Sequence, residues 1–297
     1  MKIRLALALI RFLSWLPLRL LHRLAVLPAA LLYRLPWRKH QVIRTNLEIA
    51  FPELAPAERR RLHRQHLTEL VRLALESGAV WNWSAERLQK HVREVHGWEH
   101  VSAASQAGRG VLLVGAHFGN WELSALLVSL RGPFSGLYKA PRDARADRAV
   151  TRSRERFGAR LIPAGSPAMR GLLRELKAGG TVGLLMDQLP RRGEGVYAPF
   201  FGRPALTMNL VHRLARRTDC AVILGNSERL PGGRGWRMRF EPVDAAVKGE
   251  DPVAAAAAMN RQLEGLIRRQ PAQYLWLYKR YALPPPELPD PYREAVS

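Results

Sequence analysis

The sequence predicts an α/β fold: a central β-sheet flanked by helices, preceded by an apolar, basic helical segment. Three observations carry this. After Trp98, short apolar runs bounded by glycine or polar residues alternate with amphipathic stretches of helical spacing. Residues 56–80 carry helical periodicity alone, with Leu62, Leu67, Leu70, Val71 and Leu75 interleaved with Arg and Glu. Residues 5–33 are rich in leucine and alanine yet interrupted by arginine. A chain of 297 residues, 47% of them hydrophobic, suffices for one large domain or two small ones with a substantial core.

The first segment is interrupted by Arg11, Arg19, His22 and Arg23, and Pro17 and Pro28 are expected to break any helix in it. No stretch reaches the roughly 18 uncharged residues of a confident membrane span. Charges recur too often for a cleavable signal peptide. An interfacial anchor fits better than a helix packed on the core, because apolar side chains occupy too many sides of so short a helix. In such an anchor the leucines, Phe12 and Trp15 enter the acyl boundary while arginines reach lipid phosphates. The expected organisation is a membrane-anchoring segment over 1–40, a helical lead-in over 41–97, an α/β core over 98–283 and a proline-rich tail over 284–297.

Within the core, strands are expected near 110–116, 134–139, 181–187, 220–226 and 235–241, and helices near 121–131, 142–157, 167–178, 207–217 and 252–270. Ser166-Pro167 and Asp251-Pro252 read as cap-then-proline helix starts, and Gly179-Gly180 as a stop. The pair Phe200-Phe201 reads either as a wall of a lipid-chain pocket or as core.

The formal charge of +22, from 47 basic and 25 acidic side chains, calls for an acidic partner: nucleic acid, anionic headgroups or a phosphorylated substrate. No recognised nucleic-acid reader motif is present, so no specific nucleic acid is expected. Cys220 is the single cysteine, which excludes an intramolecular disulfide; its apolar surroundings indicate a buried, inert thiol. The nucleotide signatures G-x-x-x-x-G-K-[ST] and G-x-G-x-x-G after a strand are missing, as is the G-x-S-x-G elbow. His63, His66, His91, His96 and His100 lack metal-ligand spacing, so no metal site is expected.

Chemistry is expected at His117-Phe118-Gly119-Asn120-Trp121-Glu122, which follows the apolar run Gly110 to Ala116 and opens a helical stretch. His117 therefore sits at the carboxyl end of a buried strand, where sites form in α/β sheets. Positions five apart are roughly 140° apart around a helix, so His117 and Glu122 can meet only if His117 precedes the helix and Gly119 bends the chain. The carboxylate would then fix one imidazole tautomer, leaving the other ring nitrogen to take a proton from a hydroxyl. The Gly119 and Asn120 N–H groups would lie at the helix N-terminus, where developing negative charge is favoured. A histidine merely capping a turn is the plainer alternative. Asp187-Gln188 closes a second apolar run and presents another carboxylate at a strand end. A dense arginine stretch, Arg142, Arg145, Arg148, Arg152, Arg154 and Arg156, suits phosphate or a solvated helix face.

Taken in order, these residues resemble the bacterial lipid A biosynthesis (late) acyltransferases, of the lauroyl/myristoyl type and related to the lysophospholipid acyltransferases. The matching elements are the apolar basic N-terminus, Arg44-Thr45-Asn46-Leu47, Phe51-Pro52-Glu53, the His117 to Glu122 motif, Asp187-Gln188, Pro199 to Gly202, Thr207, Asn260, Glu264 and Pro271 to Arg280. They cover about residues 1–283. The resemblance implies a mixed sheet of the glycerolipid acyltransferase kind and an enzyme on the cytoplasmic face of the inner membrane. That enzyme would move a fatty acyl chain from acyl carrier protein to a lipid A precursor or related glycolipid, beside anionic membrane lipids and with no cofactor. It implies His117 as general base with Glu122 as its partner. Asn120 and Asp187 are expected at the substrate, and Arg154 and Arg170 at headgroup phosphates or the carrier. Two departures bear on the acceptor: Tyr278 stands where the family often has histidine, and Ala282 where it often has lysine. Gly119 and Glu122 stand where glycerol-phosphate acyltransferases usually carry serine and aspartate, which favours the lipid A branch. Another lipid acceptor, a basic nucleic-acid-binding module and a membrane-bound thioester hydrolase are the alternatives.

Overall fold

The computed structural model describes residues 2–141, 143–165 and 168–293. The chain opens with α1 (Lys2–Leu13), α2 (Leu18–Leu24) and α3 (Val26–Arg34). Pro17 is the N-cap of α2 and separates it from α1. Pro28 breaks nothing: it lies in the first turn of α3, where the N–H that proline lacks has no intrahelical acceptor. These helices have two faces. Leu18, Leu21, His22 and Ala25 are buried, whereas Leu9, Phe12, Trp15, Leu24, Leu27 and Leu31 are exposed.

Next come α4 (Lys39–Ala50) and α5 (Pro56–Asn82), the long helix on which the N-terminal helices rest. Proline at the first position of α5 and the Glu58 carboxylate, which accepts from Ala55 N–H at 2.8 Å, fix its start. Gly78 marks where α1 crosses, since a Cβ there would lie 2.5 Å from the Ile10 carbonyl oxygen.

From α6 (Ala85–His91) onward the chain alternates: β1 (Val92–His96), α7 (Trp98–Gln106), β2 (Val111–Gly115), α8 (Trp121–Ser129), β3 (Phe134–Tyr138), α9 (Ala144–Glu155), β4 (Arg160–Pro163), α10 (Ala168–Lys177) and β5 (Thr181–Leu185). After the hairpin β6 (Gly195–Phe200) and β7 (Arg203–Met208) follow α11 (Leu210–Arg217), β8 (Ala221–Arg229), β9 (Trp236–Pro242) and α12 (Pro252–Arg269). The sheet order is β1-β9-β8-β2-β5-β3-β4, parallel throughout except for the β8–β9 pair, so the sheet is mixed. Alternate residues of the central strands feed two cores: Leu112, Val114, Val182, Leu184, Val222 and Leu224 on one face, Val111, Leu113 and Ile223 on the other.

The five expected strands and five expected core helices are present. Asp143 and Asp251 cap α9 and α12 through side-chain bonds of 2.8 Å to Arg145 N–H and Val253 N–H. Ser166-Pro167 lies outside the described residues, as does Arg142. Strands β1, β4, β6 and β7 add to the expectation. VREVH and RLIP are edge strands of only five and four residues, too short to carry the signal of a buried strand. The hairpin holds two prolines paired with each other, Pro199 with Pro204, which only a ribbon edge tolerates. Phe200 and Phe201 belong to the core, and Cys220 is buried, which pushes its thiol pKa up.

Candidate active site

Strands β2 and β5 are adjacent and parallel, with Gly115 opposite Leu185. Two residues beyond that pair stand His117 and Asp187, so the register itself brings them together. One carboxylate oxygen of Asp187 accepts from His117 N–H at 2.9 Å and the other from the ring Nδ1–H at 2.8 Å. Holding backbone and ring at once fixes the imidazole in the tautomer whose Nε2 keeps a lone pair. The Trp121 ring meets the imidazole edge to face at 4.9 Å. Burial alone would lower the His117 pKa; the charge and hydrogen bond of Asp187, with a further contribution from the Glu122 charge, outweigh it and raise the pKa. For Asp187 burial likewise opposes the outcome, and the His117 interactions hold its pKa below the usual carboxylate value.

The expected hydrogen bond between His117 and Glu122 is not what the structure shows. Glu122 lies in the first turn of α8 and is gripped by Arg154 of α9, whose Nε donates to it at 2.8 Å and whose Nη2 makes a second bond. The partner of the imidazole comes from the neighbouring strand, not from the next turn of chain. The turn amides differ from expectation too: Gly119 N–H donates to Gln273 O at 3.0 Å and Asn120 N–H to Ser227 O at 2.9 Å, so neither is free for an oxyanion. Gly119 does bend the chain, with φ +56°, and a Cβ there would lie 1.9 Å from Ser227 O.

Asn120 was expected at the substrate but is 1% exposed. Its Oδ1 caps α8 at Leu123 N–H, 3.3 Å away, and its Nδ2 donates to Glu76 at 2.8 Å. Glu76 in turn accepts from His22 Nε2 at 2.6 Å and from Arg229 Nε at 2.7 Å, and Arg229 also reaches the Gly119 carbonyl at 3.3 Å. The His117 turn thus rests on a buried ionic cluster. Arg170 is exposed on the first turn of α10, and no contact joins it to the His117–Asp187 pair among the described residues.

Beside the pair opens an apolar cavity between the sheet and helices α8 and α9, with a volume of about 120 Å³. Glycines let its walls pack closely: a Cβ on Gly183 would meet the Phe134 ring at 2.4 Å and one on Gly225 the Leu113 side chain at 2.7 Å. Gly115, Gly136, Gly183 and Gly225 line it on four neighbouring strands, and Glu122 and Arg154 stand in its wall. Sequence reasoning did not find this lining, although glycines inside strands signal close approach or open space.

Residues 2–282 match the family of bacterial lipid A biosynthesis acyltransferases. The chain belongs to that family and is an acyltransferase. It is similar to the lipid A biosynthesis lauroyltransferase of Escherichia coli K12, with 28% identity over 95% of both chains. It is also similar to the lipid A biosynthesis palmitoleoyltransferase of that organism, with 30% identity over 84% of this chain and 80% of the other. A phosphatidylinositol mannoside acyltransferase of Mycobacterium tuberculosis shares 26% identity over 64% of this chain and 60% of its own. Several motif residues of the acyltransferase are scaffold. Asn46 Nδ2 donates to the Trp276 and Tyr278 carbonyls at 2.5 and 2.9 Å. Arg280 is held by Leu206 O and Thr207 Oγ1 at 2.7 and 2.8 Å. Together they pin the terminal segment beside the active turn.

Proposed function

We propose that this acyltransferase moves a fatty acyl chain from acyl carrier protein to a hydroxyl of a lipid A precursor, with His117 as general base. The observation that carries the reading is the His117–Asp187 pair, whose chain neighbours Ala116 and Phe118 line an apolar cavity. In this mechanism His117 Nε2 takes the proton of the acceptor hydroxyl while its oxygen attacks the thioester carbonyl carbon. Asp187 stabilises the resulting imidazolium. Collapse of the tetrahedral intermediate breaks the carbon–sulfur bond, and the imidazolium returns the proton to the leaving thiolate. The acyl chain lies in the glycine-lined cavity. Glu122 fixes Arg154 at the cavity wall, where the guanidinium meets a phosphate of the acceptor or the carrier; Arg170, on α10 against the other face of the sheet, does not share that wall. No metal or organic cofactor takes part.

We further propose that the enzyme works on the cytoplasmic face of the inner membrane. No helix among the described residues is long and apolar enough to cross a membrane. The exposed apolar faces of α1 to α3 are flanked by exposed Arg11, Arg19, Arg23 and Arg34, which suits insertion into the surface of an anionic bilayer. The likeness to a phosphatidylinositol mannoside acyltransferase and the departures at Tyr278 and Ala282 support a second acceptor, another glycolipid.

The test is a transfer assay on detergent-solubilised protein, with acyl carrier protein bearing chains of several lengths and a tetra-acylated lipid A precursor, read by mass spectrometry. A product heavier by one acyl group, lost in His117→Ala, is expected. An intact thioester and an unchanged acceptor would refute the lipid A reading and turn the search to other glycolipids.

A further inference from the structure

The Gln188 side chain lies beside the one atom of the site that must be vacant for chemistry: its Nε2 is 3.3 Å from His117 Nε2. With Nδ1–H donated to Asp187, His117 Nε2 is an acceptor, so the Gln188 amide donates to it. The residue is exposed, directly after buried Asp187. Its main chain is anchored on both sides, by Asp187 on His117 and by Leu189 N–H, which donates to Tyr278 Oη at 2.9 Å. The Gly119 and Asn120 amides, the obvious oxyanion donors, are bonded to Gln273 O and Ser227 O. Two N–H bonds of Arg154 are turned to Glu122.

Resting on the acyl-transfer reading, we propose that the Gln188 side-chain amide is a catalytic hydrogen-bond donor to the tetrahedral oxyanion. In the resting site it occupies the lone pair of His117 Nε2. An acceptor hydroxyl arriving there displaces it by donating its own proton to the same lone pair. The freed amide then lies within a short rotation of the thioester carbonyl that the hydroxyl attacks. As the oxygen–carbon bond forms, the carbonyl electron pair moves to oxygen, where the Gln188 N–H meets it; when the carbon–sulfur bond breaks, the pair returns and the amide is released to Nε2. Such a donor strengthens its bond only in the transition state, so its loss appears in kcat and not in KM.

The experiment compares full-length wild type with Gln188→Ala and Gln188→Glu, using whichever acyl donor and acceptor the wild type accepts, over a range of pH. Both variants are expected to lose about 100-fold or more in kcat, with KM for either substrate within about threefold of wild type. Gln188→Glu should also move the acidic limb of the rate profile to higher pH, because a carboxylate beside Nε2 favours the imidazolium, which checks that the side chain at 188 reaches Nε2. A Gln188→Ala enzyme within about threefold of wild-type kcat, or one impaired in KM alone, overturns the proposal while leaving the acyltransferase reading intact. A folded wild type that transfers no acyl group overturns both.

Discussion

Glu76→Gln tests whether the buried ionic cluster beneath the active turn holds the fold together. Glu76 is fully buried and faces Arg229, His22 and Asn120. Burial alone would raise its pKa, yet the Arg229 charge and the hydrogen bonds from His22 and Arg229 bring it down from 4.5 to about 2. At ~1.4 kcal/mol per pH unit that drop corresponds to about 3 kcal/mol in favour of the ionised native state. Removing one partner of a buried pair costs about 3–5 kcal/mol by independent reasoning, and the Glu69 carboxylate, which accepts from Arg229 Nη1 at 2.8 Å, still compensates part of the charge and puts the loss at the low end. The two estimates agree, and together they predict a loss of about 3 kcal/mol in Glu76→Gln, read by urea unfolding in detergent at pH 7. Because the folded pKa is depressed, the stabilisation is fully present above pH 4.5 and is lost as pH falls toward about 2, so the gap between wild type and variant narrows across that window. A loss below ~1 kcal/mol, or a gap that does not narrow in acid, would refute the reasoning.

Asp187→Asn removes the charge that raises the His117 pKa. Transfer should fall by roughly 10³- to 10⁴-fold, with the acidic limb moving to lower pH, and an unmoved limb would count against Asp187 as the partner. Gly136→Leu fills the cavity without a clash at Cβ, whose nearest atoms are 3.5 and 3.6 Å away on Phe134 and Leu161. It should shift donor preference toward shorter chains by about tenfold or more per step, at ~1–3 kcal/mol per methylene, in competition assays with mixed acyl donors; unaltered preference would place the chain elsewhere. Phe12→Glu with Trp15→Glu places charge on side chains that are 52% and 70% exposed. Sedimentation with anionic vesicles should drop about tenfold or more, and full retention would refute insertion by this face.

What the sequence showed and what it hid follow from the range of the signals. The His117 turn is legible because a glycine-bounded apolar run ends there, and Asp187 because another such run ends in a carboxylate. Their pairing is not legible, since it depends on β2 and β5 being neighbours although β3 and β4 lie between them in the chain. Local spacing pointed instead to Glu122, which the helix turns toward Arg154. The same limit hid the capture of the Gly119 and Asn120 amides, whose acceptors lie more than 100 residues away in sequence. Gln188 was visible only as the neighbour of Asp187; its position over Nε2 follows once that pair is known. Edge strands β1 and β4 were lost for a different reason, because a strand of four or five residues at the sheet's edge carries little periodicity.

The ionic cluster also changes what the apolar N-terminal helices are for. Helix α2 turns Leu20 and Leu24 outward and His22 inward, and His22 reaches the same Glu76 that holds Asn120 and Arg229. Asn120 caps the helix that carries Trp121 against His117 and Glu122 against Arg154. One unbroken set of contacts therefore runs from the exposed apolar face of α2 to His117. A segment serving only as a tether would need no buried histidine, and its loss would weaken attachment alone. Here its removal would strip a partner from a carboxylate with no access to water, and the disturbance would arrive at the turn that carries His117. On the proposed reading, attachment and catalysis would depend on the same helices.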